Sequence, residues 1–325
     1  MAHIYIYSPS GAVRDRAAFR RGVKRLQALG HEVEIDPDAL ASWQRFAGDD
    51  DTRLAAIARA AASGADVALI SRGGYGLSRL LPRIPWRKLS RAAGQGTRLV
   101  GFSDFTVLQL GLLARESARS WSGPALCEGF GAAEPRDTTR AQAGRGKNPV
   151  NGVDEITLAC FQDLVDGSGE GTGWRLPAAD LAALHGREGR LAHQAVLWGG
   201  NLTLVNSLLG TPWWPGVDKG VLFLEDVGEH PYRVERMLLQ LLHAGVLARQ
   251  KAVLLGHFTD YALGPHDRGF ALQKVVARLR DQLRVPILSG LPFGHVPTKV
   301  LLPVGAPVDL WLHGREVLLL WGHLH

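Results

Sequence analysis

Between residues 3 and about 118, short apolar runs alternate with helical stretches. That pattern argues for βα units and a mostly parallel sheet, because strands that run the same way need a crossover long enough to hold a helix. His3 to Tyr7 reads as the first strand. Ala12 to Leu29 follows as a helix, with Phe19, Val23 and Leu26 at core spacing, arginines on its solvated face and Gly30 as its stop. His31 to Ile35 and Asp66 to Ile70 are further strands on either side of a helix from Asp51 to Ala62. Arg98 to Phe102 is a fourth strand, ahead of a helix from Val107 to Arg115. Two loops leave these strands at their carboxyl ends, where open parallel sheets place ligands: Arg72-Gly-Gly-Tyr-Gly76 and Ser103-Asp-Phe-Thr106.

With 325 residues the chain has room for two domains of roughly 100–200 residues each. The glycine-rich run Asp166-Gly-Ser-Gly-Glu-Gly-Thr-Gly173 is the best linker candidate. The expected division is an N-terminal α/β domain at 1–165, a linker at 166–190 and a strand-rich, mixed α/β domain at 191–325. Asp154 to Val165 is amphipathic enough for a last helix of the first domain, and the polar stretch from Glu134 to Asn151 reads as a surface insertion. The second domain shows short β-like runs (Gln194 to Trp198, Gly220 to Leu224, Ala252 to Leu255, Val308 to Leu312, Glu316 to Trp321) and one clear helix, Tyr232 to His243.

Composition excludes several classes. Apolar residues are 46% and charged residues 21%, both ordinary for a globular protein. The net charge of +6 can favour anionic ligands but names no partner. The longest apolar runs fall far below the ~18 residues of a membrane span, and the first residues lack the pattern of a secretory signal. The expected compartment is the cytoplasm. Cys127 and Cys160 show no CxxC spacing and are expected as buried thiols. The histidines are scattered without HExxH, so no metal is expected, and the nine tryptophans are not interleaved with a basic stripe, which argues against nucleic acid.

Four segments can carry chemistry. Ser103 stands between a buried strand and a helix, a turn that lifts its hydroxyl clear of the sheet, although a helix-capping serine fits the local sequence better. The loop Arg72 to Gly76 can bind phosphate, donate N–H groups to an oxyanion, or simply turn. Tyr75 replaces the acid of the GGDG kinase motif, and no GxxxxGK[ST] occurs, so nucleotide transfer loses ground. Glu225 and Asp226 end an apolar strand; one of them can present an acid in a cleft, cap the helix at Pro231 or pair with Arg233. His295 lies in a loop held by glycine and proline, as a catalytic base would, and His230, His257 and His313 compete with it.

Together the segments resemble the LD-carboxypeptidase family, the murein tetrapeptide carboxypeptidases and their microcin-immunity relatives. The resemblance rests on residues 71–82 (SRGGYGLSRLLP), 101–106 (GFSDFT), 199–202 (GGNL) with 209–212 (LGTP), 224–226 (LED) through 232–237 (YRVERM), 256–260 (GHFTD) and 293–297 (FGHVP), in family order along nearly the whole chain. It implies a serine peptidase with Ser103, Glu225 and His295 as its triad and an active site between the two domains. It also implies an oxyanion hole from the N–H of Asp104 and one from Gly74, with Gly73 as the alternative. A substrate ending in a carboxylate needs a cationic or N–H clamp, for which Arg72, Tyr75, Arg79 and Arg233 are candidates. The implied reaction removes the terminal D-alanine from a cytoplasmic murein tetrapeptide, without a cofactor, in a homodimer. Competing readings are an amidase acting on peptide–nucleotide conjugates and a non-catalytic module that binds an anion.

Overall fold

A computed structural model describes residues 1–133, 152–184 and 186–324. The expected insertion at 134–151 lies outside the described residues. The first half runs β1 (His3–Tyr7), α1 (Arg16–Ala28), β2 (Glu32–Ile35), α2 (Asp50–Ala62), β3 (Val67–Ile70), α3 (Trp86–Gly94), β4 (Arg98–Gly101), α4 (Thr106–Glu116), β5 (Ser120–Ser122) and α5 (Glu155–Asp166). The second half runs β6 (Gly171–Arg175), α6 (Ala178–Ala182), β7 (Gly189–Asn201), α7 (Leu202–Leu208), β8 (Val221–Val227), α8 (Pro231–His243), β9 (Ala252–Thr259), α9 (Leu272–Gln282), β10 (Ile287–Ser289), β11 (Leu302–Val304), β12 (Pro307–His313) and β13 (Glu316–Leu320). The fold is α/β, as the alternation requires.

Two sheets result, in the orders β11-β5-β4-β3-β1-β2 and β10-β9-β8-β7-β12-β13-β6. In the first, β1 to β5 are parallel and only β11 runs against its neighbour. In the second, β7 to β10 are parallel, while β12, β13 and β6 form an antiparallel flank. Strand β3 is buried along its whole length, the sign of a sheet covered on both faces. One apolar cluster runs through both halves, from Leu108 and Leu112 of α4 to Leu202 and Val205 of α7, and a second fills the other face of the first sheet. Because that core is shared, the carboxyl ends of β3, β4 and β8 are held at fixed places relative to one another.

Four sequence expectations need correction. Part of the stretch expected as a linker is β6, the edge strand paired with β13. Its glycines serve close approach, since a Cβ on Gly171 would stand 2.6 Å from Leu320 Cδ2. Residues 302–304 cross back to close the first sheet beside β5. The second half holds α6, α7 and α9 besides the one helix expected there. The two cysteines are free but half-buried rather than fully buried, and burial pushes the Cys127 thiol up to about 12.

The buried Asp36 carboxylate ties β1 and β2 to α2. It accepts from Tyr5 Oη at 2.6 Å, from Arg59 Nε and Nη2 at 2.8 and 2.9 Å, and from Asp38 N–H at 2.9 Å. Burial alone would raise this carboxyl, but its donors outweigh burial and hold it below the usual carboxylate range. Its contribution to stability is therefore complete above the unfolded-state value, about 3.9, and is lost as pH falls through the lower folded-state value. Asp36→Asn is expected to lower the melting temperature at pH 7, with the gap to the unsubstituted protein closing between about pH 5 and pH 2. A gap that stays constant across that range would contradict the assignment.

Candidate active site

Strand β4 ends at Gly101, and Ser103 opens a single 3-10 turn, Ser103–Phe105, that feeds α4. Ser103 has φ of +62°, the left-handed region that costs a non-glycine residue about 1–3 kcal/mol. That conformation turns the hydroxyl away from the sheet and brings it against the glycine loop. A Cβ on Gly73 would stand 2.8 Å from Ser103 Cβ and 2.9 Å from Oγ, so only glycine fits there. Among the described residues, neither the N–H of Gly74 nor that of Asp104 has a backbone acceptor.

The partners of Ser103 come from β8 and from the loop between β10 and β11. His295 Nε2 lies 3.0 Å from Ser103 Oγ, and Nδ1 lies 2.7 Å from Glu225 Oε2. A carboxylate oxygen only accepts, so Nδ1 donates and the neutral ring presents Nε2 as acceptor for the serine proton. Glu225, on β8, has a fully buried side chain, whereas His295 is 19% exposed. The loop Phe293-Gly294-His295 packs flat on Glu225: Gly294 has φ of +139°, and a Cβ there would lie 3.0 Å from His257 O and 3.4 Å from Glu225 Cβ. The Phe102 ring supports the imidazole at 4.9 Å between centroids.

The surrounding hydrogen bonds join the halves. In the β7–β8 register Asn201 faces Glu225, and its Nδ2 donates to Glu225 Oε1 at 3.3 Å and Asp226 Oδ1 at 2.8 Å. Its own N–H donates to Thr106 Oγ1, three residues past Ser103, at 3.1 Å. Asp226 accepts from Thr203 N–H and Oγ1 at 2.9 and 2.8 Å. Its carboxylate therefore serves the first turn of α7, not the helix at Pro231. That helix, α8, is capped by His230, and Arg233 pairs with Glu229 at 2.6 Å. Beyond His295 the chain is pinned to the start of α5, through Thr298 Oγ1 to Asp154 at 2.7 Å and Lys299 N–H to Thr157 Oγ1 at 2.7 Å. Buried Lys299 Nζ donates to Val296 O, and burial pushes its ammonium down from the ordinary lysine range while nearby Glu128, Glu225 and Asp154 oppose this.

Ser103, Glu225 and His295 are thus brought together, with the backbone of Gly73, Gly74 and Asp104 beside them. The competing His230 and His257 play other parts, as the cap of α8 and as a neighbour of Gly294. Of the candidate clamps, Arg72 has its guanidinium against the glycine loop. A Cβ on Gly74 would meet its Nη1 at 3.4 Å; it donates to Ala12 O at 3.1 Å, and its Nε is 3.5 Å from Glu128. Arg79 is turned to Asp50 at 3.2 Å and to the Phe46 ring, Tyr75 is 47% exposed beside Arg45, and Arg233 is committed to Glu229. The parts of Asn201, Thr106 and Lys299 were not assigned from sequence; Gly199-Gly-Asn201 was the available signal for the first.

Two family models match this chain, the LD-carboxypeptidase N-terminal domain over residues 4–123 and the LD-carboxypeptidase C-terminal domain over residues 194–310. The chain belongs to the LD-carboxypeptidase family, serine peptidase family S66. It is 29% identical to the murein tetrapeptide carboxypeptidase of Pseudomonas aeruginosa, over 91% of this chain and 86% of that protein. The crystal structure of muramoyltetrapeptide carboxypeptidase from Oxalobacter formigenes superposes with a TM-score of 0.81 at 35% identity, covering 98% of this chain and 97% of that one. The microcin C7 self-immunity protein MccF of Escherichia coli is 26% identical over 67% of this chain and 64% of its own length. As an S66 member, this LD-carboxypeptidase is a serine carboxypeptidase.

A test of the site geometry needs no substrate. Gly73→Ala sets a methyl group against Ser103 Oγ, and it is expected to slow labelling of Ser103 by a fluorophosphonate about 100-fold, the scale of a 1 Å misplacement. The melting temperature is expected to shift by less than about 5 °C. Labelling at an unchanged rate would show that the glycine loop does not face the nucleophile.

Proposed function

We propose that this protein hydrolyses the L,D peptide bond of a murein tetrapeptide and releases the terminal D-alanine, in the cytoplasmic recycling of wall peptides. The observation that carries the reading is the hydrogen-bonded chain from Ser103 through His295 to the buried Glu225. A serine hydroxyl is almost fully protonated at neutral pH and needs a base at hydrogen-bond distance to become a nucleophile. In the proposed sequence, His295 Nε2 takes the Ser103 proton as Oγ attacks the scissile carbonyl. The oxyanion forms toward the N–H groups of Gly74 and Asp104. His295 then gives its proton to the amine of D-alanine, the C–N bond breaks, and an acyl-enzyme remains on Ser103. Water, deprotonated by the same imidazole, attacks the ester and restores the hydroxyl.

Glu225 fixes the tautomer in which Nε2 is the base and stabilises the imidazolium that forms. Arg72, beside the glycine loop, is the best placed of the candidate cations to hold the substrate carboxylate. The name of the Pseudomonas aeruginosa relative supports the substrate. The microcin self-immunity relative supports the other reading, an amidase for peptide–nucleotide conjugates, with the same residues in the same roles.

Incubated with murein tetrapeptide, the purified protein is expected to release D-alanine, and Ser103→Ala to abolish release in a folded protein. Glu225→Gln is expected to lower kcat about 10⁴-fold, as when a triad carboxylate becomes an amide. Arg72→Ala is expected to raise KM by about tenfold or more, the worth of a charge-assisted contact. Faster turnover of an aminoacyl sulfamoyl nucleoside than of the tetrapeptide would overturn the substrate assignment, and an active Ser103→Ala would overturn the nucleophile.

A further inference from the structure

The side chain of Asp104, next to the nucleophile, lies where three loops meet. It is almost fully buried. Its Oδ2 accepts from the N–H of Leu77 at 2.9 Å and from the hydroxyl of buried Ser10. Leu77 closes the glycine loop that follows β3. Ser10 belongs to the loop that follows β1, and its neighbour Gly11 donates its N–H to Gly73 O at 3.2 Å. The carbonyl of Gly73 and the N–H of Gly74 share one planar trans peptide, so fixing the carbonyl fixes the direction of the N–H.

We propose that the Asp104 carboxyl group is a positioning residue for the reaction, clamping the loops after β1 and β3 onto the elbow and so holding the Gly74 and Asp104 N–H groups at their working separation. The proposal rests on the serine-peptidase reading given above. An oxyanion hole works because its donors are fixed before charge develops, and a loop with glycines at 73, 74 and 76 is loose unless something outside it supplies the constraint. The Asp104 contacts do so from the buried side, since Asp104, Ser10 and Leu77 are all buried. What the clamp requires is an acceptor oxygen. The charge facing it is Arg53 of α2, which is fully buried and already paired with Asp50 at 2.5 Å. An amide at 104 keeps an oxygen for both donors, and alanine removes it while leaving the backbone N–H of residue 104 in place.

Asp104→Ala, Asp104→Asn and Ser10→Ala are compared with the unsubstituted enzyme in kcat and KM on murein tetrapeptide, in thermal melting and in fluorophosphonate labelling. Asp104→Ala is expected to lose about 100-fold in kcat with KM within about threefold. Asp104→Asn is expected to recover all but about fivefold of that loss, and Ser10→Ala, which removes one of the two donors, to lose about tenfold in kcat alone. A folded Asp104→Ala or Ser10→Ala with kcat near that of the unsubstituted enzyme would overturn the proposal. So would a loss residing in KM, or an Asp104→Asn as impaired as Asp104→Ala. If Asp104→Ala does not fold, Ser10→Ala decides by the same kcat criterion. An unsubstituted enzyme that neither hydrolyses the tetrapeptide nor labels at Ser103 would instead contradict the serine-peptidase reading itself.

Discussion

The carboxylate of Glu225 is fully buried, and a buried charge is tolerated only where hydrogen bonds replace the water it has lost. Two donors do this. The Nδ1–H of His295 arrives on a loop between β10 and β11, and the amide of Asn201 arrives from the end of the neighbouring strand, set opposite Glu225 by the β7–β8 register. The imidazole is thereby held with its other nitrogen on Ser103. Removing either donor leaves an under-satisfied buried carboxylate, so the arrangement that suits the chemistry also meets the electrostatic need of the fold.

The same requirement explains how the halves are joined. Asn201 passes its backbone N–H to Thr106, in the first turn of the helix that follows the nucleophile, so the elbow and the carboxylate share one hydrogen-bonded junction. Apolar packing of α4 on α7 lies beneath it. Ser103 keeps its left-handed backbone because the junction, the Asp104 contacts and the Phe102 ring surround it, which is how local strain persists at a site. The residues carrying this network come from positions 10 to 299, and no local stretch could assemble it alone.

What the sequence revealed follows from the same physics. Strands β1, β3 and β4 are apolar and flanked by periodic helices, so their order was legible. Strands β5, β10 and β11 have three residues each, too few to show a period, and β11 pairs with a partner about 180 positions away. Helix α9 begins at Leu272, behind Ala271, which offers no side-chain cap, so it lacks a start signal. In the site, Ser103, Glu225 and His295 were legible as motif residues, and whether they meet is a property of the two sheets. The partner of the Asp226 carboxylate was not legible, because Thr203 lies on a helix the sequence did not announce. Arg79 and Arg233 were equal to Arg72 on paper; all three have an acidic partner in the fold, Asp50, Glu229 and Glu128, and what sets Arg72 apart is that its guanidinium lies against the glycine loop.

If Ser103 and His295 act as one unit, their losses cannot add. The direct measurement is a double-mutant cycle on D-alanine release with Ser103→Ala, His295→Ala and the double variant, each checked for folding. The account expects the double variant to retain the same residual rate as either single one, because the first substitution already removes what the second would. Losses that multiply would mean that the two side chains contribute independently, contradicting the assembled hydroxyl–imidazole–carboxylate chain on which the proposed function rests.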